Sequence, residues 1–121
     1  MPQETQSGSA SGVPSAAIPK VTGVFVIETV KQGINPQQIM ALIPAEIRAT
    51  LKLYLDGKIR EWYSRGDGKG IVFLLDSKTE DEARAIMEGL PLAKEQLLDS
   101  QYIPVGPLMP LRALAGAGVQ P

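Results

Sequence analysis

The 121-residue chain contains no cysteine and no histidine. The first absence removes disulfides, thiolate nucleophiles and zinc–thiolate sites, and with them any reading of redox compartment. The second removes the side chain that ordinarily titrates near neutrality and the commonest transition-metal ligand. Ser-His-Asp and Cys-His nucleophilic arrangements are therefore excluded. Chemistry here has to use carboxylates, Lys, Arg, Tyr, Ser or a borrowed cofactor.

Charge of one sign is also lacking. Twelve Lys and Arg against 13 Asp and Glu leave a formal net charge of −1, so no global positive field favours nucleic acid or an anionic membrane. The longest apolar runs, such as Ile71-Val72-Phe73-Leu74-Leu75, are too short to cross a bilayer. Hydrophobic residues at 44% and charged residues at 21% are ordinary for a globular protein of one domain with tails.

Residues 1–20 are mostly Ser, Gly, Ala, Gln and Pro. They have neither the basic start nor the apolar stretch of about 7–15 residues that a secretory signal needs, so a tail on a cytoplasmic protein is expected. Such a composition does not offset its own ordering entropy, although a partner subunit is able to order it. A second tail is expected over 109–121, leaving a domain at 21–108.

Within that domain, Val21 to Val30 is rich in β-branched residues and reads as a strand. Asn35-Pro36 offers an N-cap followed by proline at the first helical position. Ile39, Ile43, Ile47, Leu51 and Leu55 recur every four residues, giving an apolar helix stripe that Gly57 ends. Pro44 is expected to kink that helix or divide it. Lys58 to Ser64 and Gly70 to Asp76 read as a hairpin closed by Arg65-Gly66-Asp67-Gly68-Lys69. Ser77-Lys78-Thr79-Glu80 has capping-box spacing. The helix it opens carries Ala83, Ile86, Met87 and Leu90 on one side and closes at Pro91. Gln101 to Val105 reads as a last strand, with Pro104 marking an edge or a bulge.

Strand, helix, strand, strand, helix, strand is the order of a ferredoxin-like α+β fold, an antiparallel four-stranded sheet with both helices on one face. The third strand is apolar at Ile71, Phe73 and Leu75 and also at Val72 and Leu74, and the first repeats this with Phe25 and Ile27 against Val24 and Val26. Both faces therefore want burial, whereas two helices cover one. A homodimer or higher homo-oligomer that stacks sheet on sheet is expected.

The run from Asn35-Pro36 to Gly57, the Arg60-containing aromatic strand, the acidic helix from Glu80 to Gly89 and the Leu90-Pro91-Leu92 that follows are similar to the muconolactone delta-isomerases. The resemblance runs without gaps over roughly 60 residues and more loosely over 21–108. It implies a dimeric α/β barrel that moves a proton within an unsaturated lactone, with no metal and no organic cofactor. The chain has Glu61 where that family carries a His, Trp62-Tyr63 where it has a tryptophan-rich strand, and a longer connection over Ala93 to Ser100.

Several candidate site residues follow. Glu28 lies in an otherwise apolar strand: facing inward it is a proton acceptor with a raised pKa, and at a solvated strand end it is unremarkable. Glu46 falls where the resembled family tends to have an acid, and it is also a first-turn carboxylate if the helix restarts after Pro44. Arg60, Glu61, Trp62 and Tyr63 form the densest polar-aromatic cluster. Alternation puts Arg60 and Trp62 on one face and Glu61 and Tyr63 on the other. Arg60 suits a carboxylate or enolate as an anion clamp, Glu61 or Glu46 a proton carrier, and Trp62 and Tyr63 a pocket wall. A cross-strand ion pair with aromatic packing accounts for the same cluster.

Arg65-Gly66-Asp67 spells an integrin-recognition tripeptide, but its composition is that of a turn. The glycine-rich loop fits no phosphate-binding spacing, and Glu80-Asp81-Glu82 reads as charge complementing a helix start. The expected function is a cofactor-independent small-molecule enzyme, a proton-transfer isomerase acting on a compact organic acid or lactone. The alternative is a non-catalytic dimeric barrel that binds a small ligand or a protein partner. A buried carboxylate with a strongly raised pKa favours the former.

Overall fold

The computed structural model describes residues 20–108, of which Val21–Val105 form the folded unit. The expected tails at 1–19 and 109–121 lie outside the described residues. The elements are β1 (Gly23–Val30), α1 (Pro36–Leu55), β2 (Ile59–Ser64), β3 (Gly70–Leu75), α2 (Glu80–Met87), α3 (Pro91–Lys94) and β4 (Leu98–Val105). The strands form one antiparallel sheet in the order β2-β3-β1-β4, with β1 and β3 in the middle. This is the ferredoxin-like α+β arrangement, with the short helix α3 added before the last strand. Among the described residues no helix is long and apolar enough to cross a membrane.

The faces of the sheet follow from strand parity. Val24 and Val26 of β1 pair with Leu75 and Phe73 of β3, and all four are fully buried with Ile59, Ala83, Met87 and Leu90. Phe25, Ile27, Val72 and Leu74 have the opposite parity, are only half-buried and take no part in that core. The helices therefore occupy one face, and among the described residues no helix covers the other.

Local chemistry sets the helix ends. The Asn35 side chain accepts from the Gln37 N–H at 2.9 Å, and Pro36 stands at the first helical position. Gly57, at φ +83°, takes the left-handed conformation that follows the last turn. Three local expectations need correction. Pro44 does not divide helix α1, which runs through it as one element; the carbonyl that loses its N–H partner belongs to Met40, an exposed residue that solvent can reach. The four-residue stripe does not mark its buried side: Ile47, Leu51 and Leu55 are 58%, 47% and 74% exposed. A four-residue step overshoots the helical turn by about 40°, so the stripe winds off the sheet and Glu46, Thr50 and Leu53 take over. The N-cap of α2 is Thr79, two residues later than expected, and its hydroxyl accepts from the Glu82 N–H at 3.1 Å. Glu82 reaches back to the Lys78 N–H at 2.8 Å, while Ser77 is fully buried.

Strand β4 lies at one edge, in accord with Pro104, and starts at Leu98, earlier than expected. Strand β3 approaches β1 most closely at Gly70, where an added Cβ would lie 1.9 Å from the Glu28 carbonyl oxygen. No side chain fits there without moving backbone. Gly70→Ala is expected to lower the unfolding free energy by about 3 kcal/mol, read from urea midpoints. An unchanged midpoint would show that β1 and β3 separate freely at this end.

Candidate active site

The central position of β1 determines the site. Glu28 shares the covered face with Val24 and Val26 and sits between Ile71 of β3 and Ser100 of β4. It is 2% exposed, and its Oε2 has no hydrogen-bond partner. Removal of this carboxyl from water pushes its pKa up to about 7. The like charge of Glu46 raises it further, and the Ser100 hydroxyl acts in the opposite direction.

Glu46 projects from the middle of α1 and is 4% exposed. Its Oε1 accepts from the Leu92 N–H at 2.9 Å, capping α3 from a helix 46 residues away in sequence. Leu90, the N-cap of α3, supplies no side-chain bond of its own. Burial raises the Glu46 pKa, and the Leu92 N–H opposes that shift. Glu46 is therefore a mid-helix side chain facing the sheet, not a first-turn carboxylate in solvent.

The two carboxylates look into adjoining cavities between α1 and the sheet. The first, about 280 Å³, is walled by Ile39, Ile43, Ile71, Leu92 and Leu98 around Glu28. The second, about 310 Å³, has Glu46, Thr50, Leu51 and Trp62 in its wall. Ile43, Ser64, Ile71 and Leu92 border both. These volumes stand at the small end of the ligand-pocket range, about 300–1,000 Å³. The space suits a compact, mostly apolar molecule brought against a carboxyl group that titrates near neutrality.

The hairpin between β2 and β3 forms the third side of the first cavity through Arg65, Gly68 and Gly70. Arg65 Nη1 donates to Thr29 Oγ1 at 2.6 Å and to the Glu28 carbonyl at 3.4 Å, and Nη2 donates to Asp67 Oδ2 at 2.6 Å. Asp67 Oδ1 accepts from the Lys69 N–H at 2.9 Å, and Gly68 adopts φ +73°. The Lys69 N–H and Arg65 hold the Asp67 carboxyl below the usual carboxylate range. The tripeptide is thus a folded turn whose arginine reaches across Gly70 to Thr29 on the open face of the sheet.

The polar-aromatic cluster of β2 is divided. A β-bulge between Ile59 and Glu61 breaks the alternation at Arg60. Arg60 consequently lies on the open face, where its guanidinium meets the Cβ position of Gly23. It pairs with Asp76 at 2.7 Å and donates to the Thr22 carbonyl. That pairing holds Asp76 below its usual pKa. Trp62 stays on the helix face, with its ring centroid 4.7 Å from that of Tyr54 and nearly edge-on to it. Glu61 and Tyr63 share the open face, where the Tyr63 hydroxyl donates to Glu61 and its own pKa rises as a result. These residues also border a shallow depression of about 350 Å³ on the β2 edge, open to solvent.

Of the residues expected from the sequence, Glu28, Glu46 and Trp62 come together around the cavities, whereas Arg60, Glu61 and Tyr63 do not. The wall that the β2–β3 hairpin contributes to the first cavity was not expected, because it depends on β3 pairing with β1.

The Glu28 carboxyl binds its proton more tightly folded than unfolded, because its pKa rises from 4.5 to about 7. It therefore destabilises the folded protein progressively as pH rises through that interval, by about 3 kcal/mol. Glu28→Gln is expected to remove this slope and to be more stable than wild type at about pH 8, with little difference at about pH 4.5. Urea unfolding of both proteins at the two pH values tests this, and parallel pH dependences would exclude a raised Glu28 pKa. In comparisons with known proteins, the chain matches no family model and no curated relative.

Proposed function

We propose that the chain is a small-molecule enzyme that moves a proton between two carbons of a compact unsaturated acid or lactone, with Glu28 as the proton carrier. The observation that carries this reading is Glu28 itself, buried in an apolar cavity, with an oxygen free of partners and a pKa of about 7. A base tuned to the ambient pH combines a useful ionised fraction with adequate strength. In this chain a carboxylate fills the role for which histidine is the usual choice.

The carboxylate form of Glu28 takes a proton from the γ carbon of an α,β-unsaturated carbonyl compound. The C–H electron pair becomes the β,γ double bond, the former double-bond pair moves between the α carbon and the carbonyl carbon, and the negative charge moves to the carbonyl oxygen. Return of the same proton to the α carbon restores the carbonyl and leaves the double bond at β,γ, so composition is unchanged. Apolar walls keep water from exchanging that proton. Glu46 adds negative charge that strengthens the base, and Trp62 closes the far wall. The resemblance to muconolactone delta-isomerases points to the same reaction class. Muconolactone in D2O, followed by proton NMR, is the first substrate to try. Turnover is expected to rise with pH to a plateau above about 7, and Glu28→Gln is expected to lower it by about 100-fold or more. Full activity in Glu28→Gln would remove Glu28 from this role.

We also propose that a second copy covers the open face of the sheet. Phe25, Ile27, Val72 and Leu74 support this reading, because four half-buried apolar side chains on one face make a patch that a monomer seldom leaves to water. Tyr63 at 58% and Ile103 at 38% exposure lie on the same face. Light scattering is expected to give twice the chain mass for wild type and a monomer for Leu74→Asp. A wild-type monomer at high concentration would overturn the pairing. A dimer that binds ligand without turning it over would favour the non-catalytic alternative.

A further inference from the structure

We infer that Glu46 selects the charge of the ligand, so that the adjoining cavities take an uncharged unsaturated lactone and turn away a carboxylate of similar size. The inference rests on the proposed reading that these cavities hold the substrate, and it concerns recognition, not the proton step. Glu28 borders the first cavity and Glu46 the second, and both are buried. Among the described residues no lysine borders either. Arg65 contributes to the wall of the first, but its guanidinium is engaged on the open face of the sheet, by Thr29 Oγ1 and Asp67 Oδ2. No positive charge counters the upward pKa shift of either carboxyl. The opposing groups are the Ser100 hydroxyl at Glu28 and the Leu92 N–H at Glu46.

The donors that a ligand carboxylate would use are already taken. Leu92 opens α3 and borders both cavities, and the N–H groups of a first helical turn lack partners within their own helix. Glu46 Oε1 holds the Leu92 N–H at 2.9 Å, and Pro91 before it has no N–H. That bond also favours the ionised form of Glu46. Thr50, buried in the wall of the second cavity, has one hydroxyl hydrogen and directs it to the Glu46 and Ile47 carbonyls. Glu46 therefore occupies the place of a ligand anion. A second carboxylate brought into this space would meet its fixed charge, and that of Glu28 whenever Glu28 is ready to act as a base. Walls of Ile43, Ile71 and Leu92 screen such repulsion far less than water does. A lactone or ester carbonyl carries no charge, and the same walls suit its apolar body. Muconolactone bears a carboxylate arm beside its ring, so its methyl ester is expected to be the better substrate.

The test uses two saturated and therefore unreactive probes, a γ-butyrolactone with an acetate arm and its methyl ester. Each is titrated into the full-length protein above neutral pH and followed by amide NMR. The ester is expected to bind at least about tenfold more tightly than the acid, with shifts centred on Ile43, Ile71 and Leu92. Glu46→Gln keeps an acceptor for the Leu92 N–H and removes the charge. It is expected to tighten the acid by about tenfold and to leave the ester within about threefold. Glu46→Asp keeps the charge and is expected to keep the preference for ester, which a residue that only braces α3 would not distinguish. If Glu46→Gln fails to fold, the wild-type ratio of the two probes still decides. Acid bound as tightly as ester, or neither probe bound, would overturn the selection. So would a ratio that Glu46→Gln leaves unchanged. Ester preference in a protein that turns over no unsaturated lactone would remove the proposed reaction and leave the charge selection standing. Muconolactone turned over through Glu28 as well as its methyl ester would do the reverse.

Discussion

The arrangement around β1 depends on the burial of one carboxyl group in the covered face of the sheet. Glu28 is flanked by strands on both sides, overlaid by α1 and met at its backbone by Gly70. A carboxylate in such a place loses its hydration, and its pKa rises until it holds a proton near neutrality. The cavity lies between α1 and the sheet, framed by isoleucines and leucines. The same confinement that raises the pKa leaves Oε2 buried without a hydrogen-bond partner.

This geometry destabilises the fold, and other parts of the chain offset it. Glu46 is satisfied by capping α3, so the second buried carboxylate ties helix α1 to the start of the last connection. Thr50, also buried, returns its hydroxyl to the Glu46 and Ile47 carbonyls at 2.9 and 3.0 Å. Apolar packing at the other end of β1, where Val24 and Val26 meet Phe73 and Leu75, supplies the compensating burial. The sheet is thus apolar core at one end and a lined cavity at the other. That gradient along one strand is a common way to place a reactive group on a rigid support.

The bulge at Arg60 separates two chemistries that simple alternation would have mixed. Without it, Arg60 and Trp62 would face the helices together. With it, the arginine crosses the open face to Asp76 and Thr22, and the tryptophan remains beside Tyr54. Arg60 thereby fastens the start of β2 to the segment leaving β3, and Arg65, just past the other end of the strand, ties the hairpin to Thr29 of β1 on the same face.

The sequence by itself determined the order of elements, because β-branched runs, the Asn35-Pro36 start, Gly57 and the glycine-rich hairpin are local signals that act within a few residues. It also determined that both sheet faces are apolar and that, without histidine, any acid–base group would be a carboxylate. Glu28 was legible as a lone carboxylate in an apolar strand, and Glu46 only through the family resemblance. The tertiary structure decided which candidates meet. The α1 stripe was misread because a four-residue repeat drifts around a 3.6-residue helix, and only the sheet beneath shows where it leaves. The Arg60 face was misread because a bulge is a property of strand pairing, not of one strand. Arg65 meets Thr29 and the Glu28 carbonyl, 36 and 37 residues away in the chain, only after β3 pairs with β1. Desolvation is likewise a property of the assembled layers: the same glutamate at a frayed strand end would titrate as an ordinary carboxyl group.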